Sequence, residues 1–111
     1  MSAKFEIKKS KNEKFLFNLK AGNGEVILSS EMYEAKVSAL TGIESVRTNA
    51  PNDQRYERKT SAKGDPFFVL KAANGQVVGQ SEMYSSTSAM EGGIASVKKN
   101  APDAVIVDLT A

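Results

Sequence analysis

Hydrophobic and polar residues alternate in two segments of the chain that lie 51 positions apart. In the first, Phe15, Phe17 and Leu19 share one face, and in the second, Phe68 and Leu70 keep the same phase. A period of two is typical of a half-buried strand. Each segment is followed by a short apolar stretch, residues 25–30 and 76–81, which predicts a return strand and therefore a hairpin in each copy.

An Asn-Gly pair stands between the two strands of each predicted hairpin, at 23–24 and 74–75. This dipeptide is typical of a two-residue type I′ turn, in which both residues have positive φ. Such a turn would place Leu19 opposite Leu28 and Ala21 opposite Val26.

Apolar residues next recur at intervals of four, three and four, which predicts one helical stripe in each copy. Gly42 and Gly93 lie within the stripes, and we expect a kink or break there. Asn49 and Asn100 each stand two residues before a proline and are interpreted as left-handed C-terminal caps. A serine at 85 or 86 can cap the second helix, whereas Glu34 and Ala35 offer the first helix no hydroxyl. The stripe residues are Ala39, Ile43, Val46, Ala50, Met90, Ile94, Val97 and Ala101.

The chain is an internal duplication. Shifting it by 51 positions aligns residues 5–51 with 56–102 without a gap, and 21 of the 47 aligned pairs are identical. Further strands are predicted at 4–9, 55–60 and 105–109, and the same offset relates the last of these to residues 54–58. One middle segment is therefore expected to close the first repeat and open the second.

These elements add up to seven strands and two helical segments, which predicts an α+β fold of two layers with both helices on one face of the sheet. The chain is interpreted as a single domain, 1–111, with repeat one at 4–53 and repeat two at 54–111.

Composition removes the commonest catalytic chemistry. The chain has no histidine and no cysteine, so Ser-His and Cys-His arrangements, disulfides and the usual zinc sites are excluded. We expect no metal and no other cofactor. The net charge of +2 at pH 7 is small for a nucleic-acid binder. No apolar stretch is long enough to span a membrane, and the charged start does not resemble a signal peptide. A monomeric cytoplasmic protein is the expectation.

The motifs LKAGNGEVILSSEMY, GIESVRTNAP, FFVLKAANGQVVGQSEMY and GIASVKKNAP resemble the bacterial YegP family of small tandem-repeat proteins, over nearly the whole chain. The resemblance implies β-β-β-α-β units used twice, assembled into one mainly antiparallel sheet with the closing strands exchanged between repeats. It carries over no catalytic or binding residues, since the family has no assigned function. Gly79 and Gln80 stand where the first repeat has Leu28 and Ser29, and a looser second hairpin is expected.

Several repeated side chains are candidates for chemistry, and each has a structural interpretation. Glu6 and Glu57 are expected to pair with lysines across strands, and Glu31 and Glu82 to lie before a helix, where acids are favoured. The pairs Met32-Tyr33 and Met83-Tyr84 are expected to close the ends of the core, although a tyrosine at a rim could touch a ligand. Arg47 and Lys98 are interpreted as cations near helix C-termini.

The strand face that points away from the helices is the preferred binding surface. It is predicted to carry Ile27 and Val78 together with the candidate binding residues, which are Leu16, Lys20, Phe67, Val69 and Lys71.

The leading hypothesis is a non-enzymatic binding or interaction module of unknown partner, which is a protein or, with less support, nucleic acid bound weakly. The alternatives are a small enzyme that uses Glu, Lys or Tyr in a cleft between repeats, and a purely structural subunit.

Overall fold

The computed structural model describes residues 3–110 and builds them into one seven-stranded sheet with two helices. Repeat one contributes three strands and the first helix, and repeat two contributes three strands, the second helix and a last strand. A single 3₁₀ turn follows each helix, at Asp53–Arg55 and Ala101–Asp103. The elements are β1 (Lys4–Lys9), β2 (Phe15–Lys20), β3 (Val26–Ser29), α1 (Lys36–Asn49), β4 (Tyr56–Thr60), β5 (Pro66–Lys71), β6 (Val77–Gln80), α2 (Thr87–Asn100) and β7 (Val105–Asp108).

The strands run in the order β4-β5-β6-β3-β2-β1-β7, and every pairing is antiparallel except that of β1 with β7. β7 follows repeat two but pairs with β1 of repeat one, so the closing strand is exchanged as expected. The middle segment does not close the first repeat. Within the described residues β4 pairs with β5 alone and forms the far edge of the sheet.

The hairpin turns differ from the predicted type. Gly24 and Gly75 have positive φ, but Asn23 and Asn74 do not. In the first hairpin the Gly24 amide donates to Ala21 O and the Ala21 amide to Glu25 O, as in a three-residue loop with a glycine bulge. The extra residue shifts the register, so Leu19 does pair with Leu28, but Val26 lies opposite Lys20 rather than Ala21.

This shift also moves Ile27 and Val78 off the face that was predicted for them. Both side chains are buried and belong to the core cluster under the helices. Val78 lines a cleft together with Gly42 and Ser45 of α1. A bulge breaks the strict alternation of a strand, and here it turns an apolar residue of each hairpin towards the core.

Both helices continue unbroken through the glycines that were expected to kink them. The asparagines before the prolines are not left-handed caps, since neither Asn49 nor Asn100 has a positive φ and both still belong to their helices. Instead each asparagine amide donates to a carbonyl one turn earlier, at Ser45 and Ser96. The cap at α2 is confirmed: the Ser86 hydroxyl accepts from the Ala89 amide, while α1 has no side-chain cap.

The two repeats meet about a pseudo-twofold axis between β3 and β6. Ser29 and Gln80 are equivalent by the 51-residue offset, and they pair with each other across this joint. Leu28 and Gly79 are also equivalent and lie beside it. A Cβ added to Gly79 would lie 2.6 Å from Leu28 Cδ2. Gly79 therefore does not loosen the second hairpin, because the Leu28 side chain fills the volume that the glycine leaves.

We predict that Leu28→Gly and Gly79→Leu each destabilise the protein, whereas the double variant, which exchanges the two residues, recovers much of the loss. Removing buried Leu28 costs about 3–5 kcal/mol through cavity formation, and a second leucine at the joint costs about 1–3 kcal/mol through overpacking. We expect a favourable coupling free energy of at least about 2 kcal/mol in urea unfolding. Additive losses would show that the two positions do not share one volume.

Candidate functional site

The face of the sheet opposite the helices is uncovered by any element of residues 3–110. We call this surface the open face. Its charged members are mostly lysines. Alternation along the strands and the pairing of β7 with β1 assign it Lys4, Glu6, Lys8, Leu16, Asn18, Lys20, Ser29, Glu57, Lys59, Phe67, Val69, Lys71, Gln80, Val105 and Val107.

All five predicted binding residues lie on the open face, but they are not equally accessible. Leu16, Lys20, Phe67 and Lys71 are partly exposed. Val69 lies between its strand neighbours and is only 4% exposed, so a partner cannot reach most of its side chain. The expected apolar patch therefore reduces to Phe67 in repeat two and Leu16 in repeat one.

The lysines of the open face surround two glutamates. Glu6 is buried and forms ion pairs with Lys20 at 3.0 Å, Lys4 at 3.3 Å and Lys8 at 3.8 Å. The hydrogen bond from Lys20 holds the pKa of Glu6 below its ordinary value, and that from Lys4 adds to the effect. In repeat two, Glu57 has an equivalent pair with Lys71 at 2.5 Å, which lowers its pKa in the same way. The predicted cross-strand pairing of both glutamates is therefore present.

A cleft of about 200 Å³ lies on the other side of the sheet, where α1 of repeat one meets the hairpin of repeat two. Glu31, Tyr33 and Ser45 line it from repeat one, and Asn74 and Gln76 from repeat two. Hydroxyls, amides and one carboxylate thus surround a partly apolar floor. The alternative hypothesis of a small enzyme would place its active site in this cleft between the repeats.

Tyr33 and Gly42, which line the cleft, are in close contact, and the equivalent pair in repeat two, Tyr84 and Gly93, makes the same contact. A Cβ on Gly42 would lie 2.5 Å from the Tyr33 hydroxyl, and one on Gly93 would collide with the Tyr84 hydroxyl. Each tyrosine ring also stacks on a core phenylalanine, Tyr33 on Phe17 and Tyr84 on Phe68. The glycines are therefore needed for close approach rather than for a kink.

The tyrosines help to close the core as expected, but the methionines beside them do not. Met32 and Met83 are about half exposed, whereas Tyr33 and Tyr84 pack against the core cluster. In the sequence these tyrosines and the repeated glycines have separate explanations, and only the structure shows that they are in contact. Their common nine-residue spacing in both copies was the available signal.

The cleft is poorly suited to acid–base chemistry. Burial, with Glu31 nearby, raises the pKa of Tyr33, and burial, with Glu82 and Glu25 nearby, raises that of Tyr84. A tyrosine base or nucleophile needs a lowered pKa instead. Glu31 and Glu82 are exposed, so neither is a buried carboxylate of the kind that burial converts into a proton donor. Among residues 3–110 no group of three Asp or Glu side chains is placed to hold a metal ion.

Arg47 and Lys98 occupy equivalent positions but hold different partners. Each cation lies over the aromatic ring of an opening strand, Arg47 over Phe5 at 5.6 Å and Lys98 over Tyr56 at 5.7 Å. Arg47 also donates to Ala104 O just before β7, and the Lys98 ammonium pairs with an aspartate of the 3₁₀ turn, Asp53. Both residues therefore join elements together rather than pointing freely into solvent.

We predict opposite effects of alanine at two adjacent glycines of α2. Gly92→Ala should raise the free energy of unfolding by about 1 kcal/mol, since alanine favours helix and the position is open. Gly93→Ala should lower it by about 1–3 kcal/mol, since the methyl group collides with Tyr84. The Tyr84→Phe background should reduce that loss. Equal effects at the two glycines, measured in urea, would contradict the close-approach role.

We predict that Glu6 steepens the acid limb of the stability curve. Its folded-state pKa lies below the ordinary value of 4.5, so its contribution is present above that pH and is lost as the pH falls through the folded-state pKa. Glu6→Gln should therefore lose less stability than wild type between about pH 5 and pH 3. Glu25→Gln, at an exposed turn position, is the control and should follow the wild-type slope. A Glu6→Gln curve parallel to wild type would argue against the lysine cluster.

Known proteins resemble the chain in sequence, in repeat pattern and in fold. The model of the family described as "Domain of unknown function (DUF1508)" matches residues 10–57 and again 61–108. The UPF0339 protein YegP of Yersinia pestis is 58% identical over 106 residues, which is 96% of this chain and 95% of that protein. YegP of Escherichia coli K12 is 51% identical over 110 residues, 99% of this chain and all of that protein.

Two solution NMR structures share the whole architecture. One is of E. coli yegP, a protein of unknown function, with a TM-score of 0.94, 50% identity and coverage of 100% of this chain and 96% of that chain. The other is of a UPF0339 protein from Shewanella oneidensis, with a TM-score of 0.93, 53% identity and coverage of 99% and 93%. In residues 3–110 no helix has the length and apolar character needed to cross a membrane. The resemblance seen in the motifs is thus confirmed, and the chain belongs to the bacterial YegP family of tandem DUF1508 repeats, whose members are described as uncharacterised.

Proposed function

We propose that the protein is a non-enzymatic binding module whose open face docks on an acidic protein surface. The observation that carries the proposal is the charge of that face. It has five lysines against two glutamates, and no helix or loop of residues 3–110 covers it. The lysines are Lys4, Lys8, Lys20, Lys59 and Lys71.

The ion pairs on this face hold its cations in place. Lys20 and Lys71 are fixed by Glu6 and Glu57, so they lose less side-chain freedom on binding than unpaired lysines would. Glu6 pairs with three lysines and its cluster therefore stays cationic, while Lys59 adds a cation on the strand that carries Glu57, the partner of Lys71. Complementary charge steers association and selects acidic partners, and Phe67 offers one apolar anchor beside the cations.

Nucleic acid has less support than protein as the partner. Single-stranded nucleic acid is usually held by several aromatic side chains on which successive bases stack. Phe67 is an aromatic residue on the open face, but repeat one has Leu16 at the equivalent position. The open face therefore lacks a pair of equivalent aromatic side chains on which bases could stack. The lysines are still compatible with weak, salt-sensitive contacts to phosphate groups.

Catalysis in the inter-repeat cleft has less support as well. Tyr33, which lines the cleft, has a raised pKa, and the Glu31 side chain there is exposed. A cytoplasmic location is part of the proposal, supported by a composition without cysteine.

We predict that the variant Lys20→Glu/Lys71→Glu/Phe67→Ser binds a glutamate-rich peptide at least about tenfold more weakly than wild type, because each reversal replaces an attraction with a repulsion. Binding is measured by fluorescence anisotropy over a salt series, with a single-stranded oligonucleotide as the second probe. Capture from bacterial lysate, before and after nuclease treatment, compares the natural partners.

A matched control carries the same change in charge and apolarity elsewhere. Lys63→Glu/Lys99→Glu/Val37→Ser alters three exposed residues on loops and helices and should bind like wild type. Circular dichroism checks that both variants fold. If the two variants bind the peptide equally well, the open face is not the docking surface. If wild type binds the oligonucleotide more tightly than the peptide, an acidic protein is the wrong partner class.

A further inference from the structure

β1 and β4 are equivalent strands in the two repeats, but only β1 has a closing strand paired along its outer side. At the β1 edge, β7 adds in parallel, with Phe5 opposite Ile106 and the Leu109 amide donating to Ile7 O. At the equivalent edge, β4 has no strand beside it in residues 3–110. An edge strand with unpaired backbone groups is a template for another chain.

The side chains near the helix layer differ at the two edges. The offset relates Ile7 to Arg58 and Leu40 to Glu91. Ile7 is fully buried and Leu40 packs against the core cluster. In repeat two the same two positions are therefore charged, although the strand and the helix that carry them are otherwise alike.

The charged residues at the β4 edge form one connected network. The Arg58 guanidinium contacts both oxygens of Glu91, at 2.6 Å through Nε and 3.0 Å through Nη2. Nη2 also lies 3.1 Å from Asp53 Oδ1, which accepts Lys98 at 2.7 Å. The pKa values of Glu91 and Asp53 are lowered, in each case chiefly by hydrogen bonds from these cations.

This network lies where an added strand would need an apolar surface. Pairing a strand with β4 would cover Arg58 and its partners, and removing charges from water is costly. The outer edge of β7 is mostly apolar, since Val105, Ile106 and Leu109 are 54%, 38% and 51% exposed, and the charged residue of this strand, Asp108, pairs with Lys36. Without the charges, the β4 edge of one molecule would suit the β7 edge of the next. Such a head-to-tail contact leaves one free edge at each end of the assembly, so further copies can add to form a ring or a filament.

We infer that the network of Asp53, Arg58, Glu91 and Lys98 guards the β4 edge against strand addition by the β7 edge of a second copy. Only repeat two has this charged network, because the β1 edge is already covered by the chain's own closing strand. The strand that it excludes is β7 of an identical molecule, a short and mostly apolar strand at the other edge of the same sheet.

The test gives repeat two the residues of repeat one. The variant Arg58→Ile/Glu91→Leu should form assemblies whose average mass rises with protein concentration in sedimentation velocity, at concentrations where wild type keeps a constant mass. A further Ile106→Lys change on β7 should restore the wild-type mass, because it places a charge on the complementary edge. Arg58→Lys/Glu91→Asp, which keeps both charges, should sediment as wild type.

Lys14→Ile/Glu34→Leu is the matched control, since it replaces another surface ion pair with the same two apolar residues. It should not associate. The inference is overturned if the control associates as strongly, if Ile106→Lys does not reverse assembly, or if a folded Arg58→Ile/Glu91→Leu keeps the wild-type mass. Should that variant not fold, Arg58→Gln/Glu91→Gln keeps the side-chain size without the charges. It should associate at higher concentration, and an unchanged mass would equally overturn the inference.

Discussion

Leu28 and Gly79 occupy the same position in the two repeats and face each other where β3 meets β6. Two large side chains related by a twofold axis would compete for one volume at this joint. The duplicated chain resolves the conflict with one leucine and one glycine, which two identical copies of a single unit could not do. The continuous sheet, and with it the open face and the inter-repeat cleft, depends on this close packing.

The helices also stabilise the joint between β3 and β6, because each helix packs across the boundary between the repeats. α1 contacts β2 of its own repeat and also β5 and β6, while α2 contacts β5 and also β3. All of the helical cover therefore lies on one side of the sheet. The other side is left to the lysine clusters, and its centre is shielded from water by neighbouring strand side chains rather than by a further layer. Val69 is buried in this way.

Periodicity and the internal repeat were sufficient to predict the elements, the single sheet and the helical layer, because these follow from side-chain alternation and helical spacing. Details set by backbone geometry were not predictable in the same way. The Asn-Gly pairs fit two turn types, and the bulge that distinguishes them reverses the side of Ile27 and Val78. Gly42 fits both a kink and a close contact, and only the position of Tyr33 decides between them. Exposure of Val69 depended on neighbouring strands whose order the sequence left open.

The exchange of β7 has a consequence for how the molecule opens. β7 follows α2 in the chain, yet it pairs with β1, and its approach is held by Arg47 of α1 through Ala104 O and by Lys36 through Asp108. Unfolding repeat two would pull β7 away from repeat one, and unfolding repeat one would leave β7 without its neighbour. The halves are thus joined as a single cooperative unit, so backbone amides of β2 and β5, at the centres of different repeats, should exchange with solvent through the same global opening.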